Sequence, residues 1–127
     1  MTKAKYAFLE TGNYARGWHV VLFSQELQVS EVKQLHYFGR DLVAYRGESG
    51  RAAILDAHCP HLGANLGSGE GRVSGDTIAC PFHGWTFDPD GTCVELPYAS
   101  NIPDKAVNAL RGCPVLEKNG LIAMWYD

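Results

Sequence analysis

The chain has 127 residues, 46% of them hydrophobic, with three tryptophans and a formal charge of −3 at pH 7. That length suits one domain able to bury about two-thirds of its unfolded surface. The weak negative charge argues against nucleic acid, which clustered Lys and Arg would bind. No run approaches the ~18 apolar residues that a membrane helix needs, and Met1 to Lys5 is too polar to open a signal peptide. A cytoplasmic protein without a membrane segment is the simplest reading.

Short β segments follow one another, separated by turn signals, with no long 3.6-residue periodicity. Residues 17–23 form an apolar run rich in β-formers, and 24–27 read as a single helical turn. Residues 32–38 and 41–46 flank a turn at Gly39-Arg40. Gly47-Glu48-Ser49-Gly50 turns the chain into 52–56, which leads straight to Cys59, and 76–79 leads in the same way to Cys80. Between them, 62–79 reads as a connection whose glycines (Gly63, Gly67, Gly69, Gly71, Gly75) let the chain turn sharply. Asp88-Pro89-Asp90-Gly91, with proline early and glycine last, joins 85–87 to 92–96. A second helical turn is predicted at 103–107. Lys118-Asn119-Gly120 carries an Asn-Gly hairpin signal between 114–117 and 121–126. The sum is an all-β domain over 1–127: a small antiparallel sandwich or incomplete barrel, with a second layer at about 57–88.

That second layer holds the chemistry. Cys59-Pro60-His61 and Cys80-Pro81-Phe82-His83 stand eighteen residues apart, counted from His61 to Cys80. Each pair offers one thiolate and one imidazole, and each is followed by Gly or Leu-Gly. A [2Fe–2S] cluster with two thiolates on one iron and two neutral nitrogens on the other needs this set. Zinc accepts the same four donors, but its finger order is a cysteine pair followed by a histidine pair. The mixed order within each pair, and the tight C-x-H spacing, favour iron–sulfur. His58 adjoins Cys59, but the doubled pattern selects His61 as the ligand. His19 and His36 lie in strand-like runs and read as packing or surface residues, as Trp18, Trp125 and Tyr126 read as packing.

Cys59-Pro60-His61-Leu62-Gly63-Ala64 and Cys80-Pro81-Phe82-His83-Gly84-Trp85 resemble the Rieske domain of Rieske non-haem iron oxygenases. Gly17-Trp18, Phe38-Gly39, the turn at 88–91 and the close of the chain at 120–126 extend the resemblance. A finer likeness, to the sterol and steroid branch such as cholesterol 7-desaturases and ketosteroid hydroxylases, rests on Asp90-Gly91-Thr92-Cys93, Leu96-Pro97-Tyr98-Ala99, Asn119-Gly120 and Met124-Trp125-Tyr126. The resemblance implies a Rieske fold and a Rieske-type [2Fe–2S] cofactor held by Cys59, His61, Cys80 and His83. Pro60, Gly63, Pro81, Gly84 and Trp85 are implied as its supporting residues, with glycine at 84 letting the backbone pass close to the cluster.

The resemblance also implies one-electron transfer, from a reductase or ferredoxin toward an oxygenase catalytic domain. That domain holds iron with two histidines and a carboxylate. The chain stops at Tyr126-Asp127, about where that domain begins in the family, and only His19, His36 and His58 remain beyond the four ligands. No residue of the chain is therefore assigned a catalytic role. The alternative is a free-standing Rieske ferredoxin. Respiratory Rieske proteins carry an extra cysteine in each loop, where this chain has Ala64 and Phe82. They also carry a serine and a tyrosine where it has Trp85 and Phe87. Both differences imply a low potential. Cys93 and Cys113 then read as core thiols rather than a disulfide.

Overall fold

A computed structural model describes residues 14–60, 63–67, 72–81, 84–97, 101–107 and 110–127. Eleven strands run through them: β1 (Gly17–Phe23), β2 (Val32–Tyr37), β3 (Arg40–Arg46), β4 (Ala52–Asp56), β5 (Arg72–Ser74), β6 (Thr77–Ala79), β7 (Thr86–Phe87), β8 (Cys93–Glu95), β9 (Gly112–Cys113), β10 (Val115–Lys118) and β11 (Leu121–Tyr126). A 3₁₀ turn at Ser24–Glu26 and one α-helical turn, α1 (Asp104–Val107), match the two predicted helical turns. Among the described residues the strands form three open antiparallel sheets, in the orders β1-β11-β10, β2-β3-β4-β9 and β5-β6-β7-β8. No helix among them is long and apolar enough to cross a membrane.

The sheet holding β3 and β4 lies between the other two. Side chains alternate across a strand, and both alternate sets here are apolar. Leu42, Ala44, Ala52 and Ile54 face one core, with Val21, Leu22, Leu27, Ile122 and Met124. Val43, Tyr45, Ala53 and Leu55 face the other, with Ile78, Cys80, Phe87 and Cys93. That is why Leu42-Val43-Ala44-Tyr45 reads as an unbroken apolar run rather than an alternating one. Each large side chain so buried contributes about 1.5–3 kcal/mol.

Two hairpins are closed by two-residue loops. Phe38 (φ 58°) and Gly39 (φ 70°) sit between the paired Tyr37 and Arg40, and Asn119 (φ 55°) and Gly120 (φ 79°) between Lys118 and Leu121. Positive φ at both loop positions is what lets so short a loop follow the strand twist. The second hairpin matches its Asn-Gly signal. The first lies one residue earlier than Gly39-Arg40, because Phe38 takes a left-handed conformation that phenylalanine ordinarily avoids. Its ring stacks on Tyr126 at 4.4 Å and meets Tyr14 and His19 edge-on, at 5.2 and 4.9 Å. Those contacts offset the backbone cost.

The reading of 62–79 as plain connection is also corrected. Arg72, Val73 and Ser74 pair with Ala79, Ile78 and Thr77. A three-residue strand is too short to leave a periodic signal. Trp18, read as packing, does meet Trp125 edge-on at 5.5 Å, yet it remains 48% exposed.

Arg46 fastens the layers. Its Nε donates to Leu27 O at 2.6 Å and Nη1 to Gly50 O at 2.7 Å, while Nη1 and Nη2 each donate to a Glu117 carboxylate oxygen at 2.8 Å. The guanidinium thus joins β3 to β10 of another sheet. Its side chain is 11% exposed and that of Glu117 30%. Arg46 holds the Glu117 carboxyl below its ordinary value. A lowered folded-state value gives stability that is full above the ordinary glutamate range and is lost as pH falls through the lowered one. Glu117→Gln should therefore cost about 1 kcal/mol at pH 7, screening included. The deficit should shrink below about pH 4, where wild type loses the charge as well. Denaturant titrations at the two pH values measure it, and equal midpoints at pH 7 would show that the pair contributes nothing.

Candidate metal centre

Cys59 lies three residues past β4, and Cys80 directly follows β6. Both sulfurs enter one apolar core, with Tyr45, Leu66, Ile78 and Phe87, at 1% and 5% exposure. The backbone around each makes the same turn. Cys59 N–H donates to Ala64 O at 2.8 Å, and Gly63 N–H donates to Cys59 O at 2.7 Å. Cys80 N–H donates to Trp85 O at 2.7 Å, and Gly84 N–H donates to Cys80 O at 3.1 Å. Gly63 and Gly84 are both left-handed, at φ 77° and 75°. The turns therefore correspond residue for residue: Cys59 with Cys80, Gly63 with Gly84, Ala64 with Trp85. The flanking bridge His58–Asn65 corresponds to the pair Ala79–Thr86.

In sequence, His61 is the third residue and His83 the fourth, counted from the cysteine of each turn. His61 and His83 themselves lie outside the described residues. Among the described residues no three His, Cys, Asp or Glu side chains group as a metal site. What is described fits an iron–sulfur group: two buried thiols, the soft donors that iron–sulfur chemistry needs, on matched turns in a dry core.

The supporting residues take distinct places. Pro60 is exposed and Pro81 half-buried, each directly after its cysteine. Trp85 packs against the core that holds both cysteines. Gly84 is needed for its left-handed backbone, and a Cβ there would also stand 3.1 Å from Pro97 Cγ. A Cβ on Gly63 would meet nothing, so its requirement is conformational alone.

The remaining candidates separate cleanly. His58 Nδ1 lies 2.9 Å from Gly63 O, and Nε2 lies 3.1 Å from Asp41 Oδ2. Both partners only accept, so each contact calls for a donating ring nitrogen, and both nitrogens are engaged within the protein. The Gly63 carbonyl first, and Asp41 second, hold His58 above its ordinary value. Asp41 is held below its own, chiefly by His36, whose Nδ1 lies 2.8 Å from Oδ1. His19 bonds Ala15 O at 2.6 Å and packs on Phe38. Cys93 is 2% exposed, and burial pushes its thiol up. Cys113 sits 3.9 Å from Arg40 Nη2, with burial outweighing that cation, and neither cysteine is in a disulfide. Asp41 escaped the sequence reading because it meets His58 from seventeen residues away, and Thr86 escaped it although it stands two residues past Gly84.

Comparison with known proteins agrees with this geometry. The family model of the Rieske [2Fe-2S] domain matches residues 17–110. The chain is 43% identical over 114 residues to a probable 3-ketosteroid-9-alpha-monooxygenase, oxygenase component, of Rhodococcus rhodochrous, covering 90% of this chain and 28% of that one. It is 47% identical over 114 residues to a cholesterol 7-desaturase of Bombyx mori, covering 90% and 24%. The chain thus spans about a quarter of the length of these relatives. The crystal structure of dicamba monooxygenase superposes with a TM-score of 0.78 at 31% identity, over 87% of this chain and 34% of that one. The reduced complex between oxygenase and ferredoxin in carbazole 1,9a-dioxygenase gives 0.74 at 28% identity, over 88% and 29%. The chain belongs to the Rieske [2Fe–2S] domain family, and a [2Fe–2S] cluster is its cofactor.

Proposed function

We propose that this chain is the electron-transfer domain of a Rieske oxygenase. In this reading Cys59 and Cys80 hold one iron as thiolates, and His61 and His83 hold the other as neutral imidazoles. The observation that carries it is the doubled turn, which brings two cysteines into one apolar core on matching backbone. When bound, the cluster supplies one-electron chemistry, and two neutral ligands on one iron raise its potential above that of all-cysteine clusters.

The chain's own residues do the rest. Tyr45, Ile78 and Phe87 exclude water around the sulfurs, and Tyr45 spends its hydroxyl on Asp76 O at 2.8 Å. Trp85 and Phe87 bring no hydroxyl near either cysteine. Each hydroxyl donor to sulfur would favour the extra negative charge of the reduced state, so their lack lowers the potential. A groove of about 300 Å³ beside the first turn, lined by Arg40, Asp41, Asp56, His58, Pro60 and Leu110, gives a charged surface next to the exposed Pro60.

A ferredoxin or a reductase is the proposed donor, supported by the oxygenase–ferredoxin complex among the similar structures. A catalytic domain like that of the oxygenase relatives is the proposed acceptor, with a steroid or sterol as the substrate class on the strength of the ketosteroid and cholesterol enzymes. Cytoplasmic residence is proposed with it.

The purified protein should be red-brown, with two irons per chain by metal analysis, and its reduced EPR spectrum should have an average g-value below that of all-cysteine ferredoxins. A colourless protein carrying one zinc would overturn the reading. Cys59→Ser and Cys80→Ser should abolish cluster assembly, whereas Cys93→Ser and Cys113→Ser should leave the visible spectrum intact. Bleaching by Cys93→Ser would reassign the ligands.

The midpoint potential should fall at roughly −150 to 0 mV, toward the low end of a range that reaches about +300 mV. Protein-film voltammetry at neutral pH measures it. Phe87→Tyr adds one hydroxyl in the core that holds both cysteines and should raise the potential. An unchanged value would show that donors at this position do not set it.

A further inference from the structure

In each cysteine turn the carbonyl of the left-handed glycine accepts a side-chain hydrogen bond, and the two donors come from opposite arms. His58 Nδ1, from the residue before Cys59, reaches Gly63 O at 2.9 Å. Thr86 Oγ1, two residues past the glycine, reaches Gly84 O at 2.9 Å.

The matched positions have exchanged roles. The counterpart of His58 is Ala79, which has no side-chain donor. The counterpart of Thr86 is Asn65, whose Oδ1 instead accepts the Gly67 N–H at 2.7 Å. Both donors are themselves held. Asp41 grips His58 Nε2 at 3.1 Å and is gripped by His36 Nδ1 at 2.8 Å. Thr86 is 9% exposed and is paired through β7 with Ala79. Chance contacts would not fall on the equivalent atom of two equivalent turns.

We infer that His58, oriented by Asp41, and Thr86 are positioning residues: they latch the Gly63 and Gly84 carbonyls and so set how the two turns present their ligands to the cluster. The glycine peptides close the segments 60–62 and 81–83, which contain the proposed ligands His61 and His83 in sequence. A latch on the closing peptide limits how far each segment can rotate. The inference rests on the proposed ligand assignment.

The test uses the whole chain loaded with iron and sulfide, and paired variants. Thr86→Val keeps the shape and removes the donor, whereas Thr86→Ser keeps the oxygen. His58→Leu removes the ring donors, whereas His58→Asn sets an amide nitrogen near the place of Nδ1. The readouts are the g-values of the reduced protein and the rate at which visible absorbance is lost under excess chelator.

Thr86→Val and His58→Leu should shift or broaden the g-values and lose absorbance about five- to tenfold faster than wild type, the effect of one lost hydrogen bond. Thr86→Ser and His58→Asn should stay within about twofold, less than the loss of one hydrogen bond. Wild-type g-values and loss rate in His58→Leu would overturn the inference, as would a conservative variant no better than its disruptive partner. His58 is half-exposed, so its pair decides the matter even where Thr86→Val fails to fold. A wild-type protein without the mixed-ligand EPR signal would overturn the ligand assignment instead, a failure that the variants cannot imitate.

Discussion

Leu42, Val43, Ala44 and Tyr45 in β3, and Ala52, Ala53, Ile54 and Leu55 in β4, are all buried. A sheet with water on neither face needs a layer on each side, and the two outer sheets of this domain are those layers. The site follows from the same demand. The chain leaves β4 at the edge of the inner core, Ala57 N–H bonds back to Asp41 O at 3.0 Å, and Cys59 comes two residues later, still inside apolar surroundings. Cys80 arrives in that core from the opposite side, at the end of β6. The core that stabilises the fold is thus also what keeps water from the two sulfurs.

So dry an interior obliges every polar group near it to find a partner. Tyr45 meets this with Asp76 O, and burial together with Asp88 and Asp76 pushes its phenol well above the ordinary value. Arg46 spreads its donors over Leu27 O, Gly50 O and Glu117. Arg40 pairs with Asp56 beside Cys113. At the cysteine turns the half-buried Gly84 carbonyl bonds Thr86 and the exposed Gly63 carbonyl bonds His58.

The two turns are alike in backbone and unlike in support. The second sits in a regular hairpin, with Ala79 and Ile78 paired to Thr86 and Phe87. Among the described residues the first is flanked by the isolated bridge of His58 to Asn65 and by Leu66 N–H to Ala57 O at 2.7 Å. The chain from His36 through Asp41 and His58 to Gly63 supplies side-chain bonds where the ladder is thin. A bound group held by a turn without such restraint would sample several orientations, and precise sites call for the opposite.

Much of this was legible from residue order. The all-β class, the Asn119-Gly120 hairpin and the runs at β1, β4 and β11 follow from alternation, turn chemistry and apolar content, which are local properties. The likeness of the two turns is also local, because Cys59 and Cys80 each stand four residues before a glycine. Other features depend on segments far apart in the chain. Phe38 accepts a left-handed backbone only because Tyr126 stacks on it from the far end of the sequence. Arg72–Ser74, by contrast, pairs with its neighbour β6, but three residues are too few to show a periodic pattern. His58 meets Asp41, seventeen residues earlier, through its second nitrogen. The sequence by itself determined the class of fold, the donor types and the two turns, since short-range sterics and spacing decide those. Tertiary structure alone decided what orients His58, because its hydrogen bond to Asp41, seventeen residues earlier, exists only once packing has brought the two segments together.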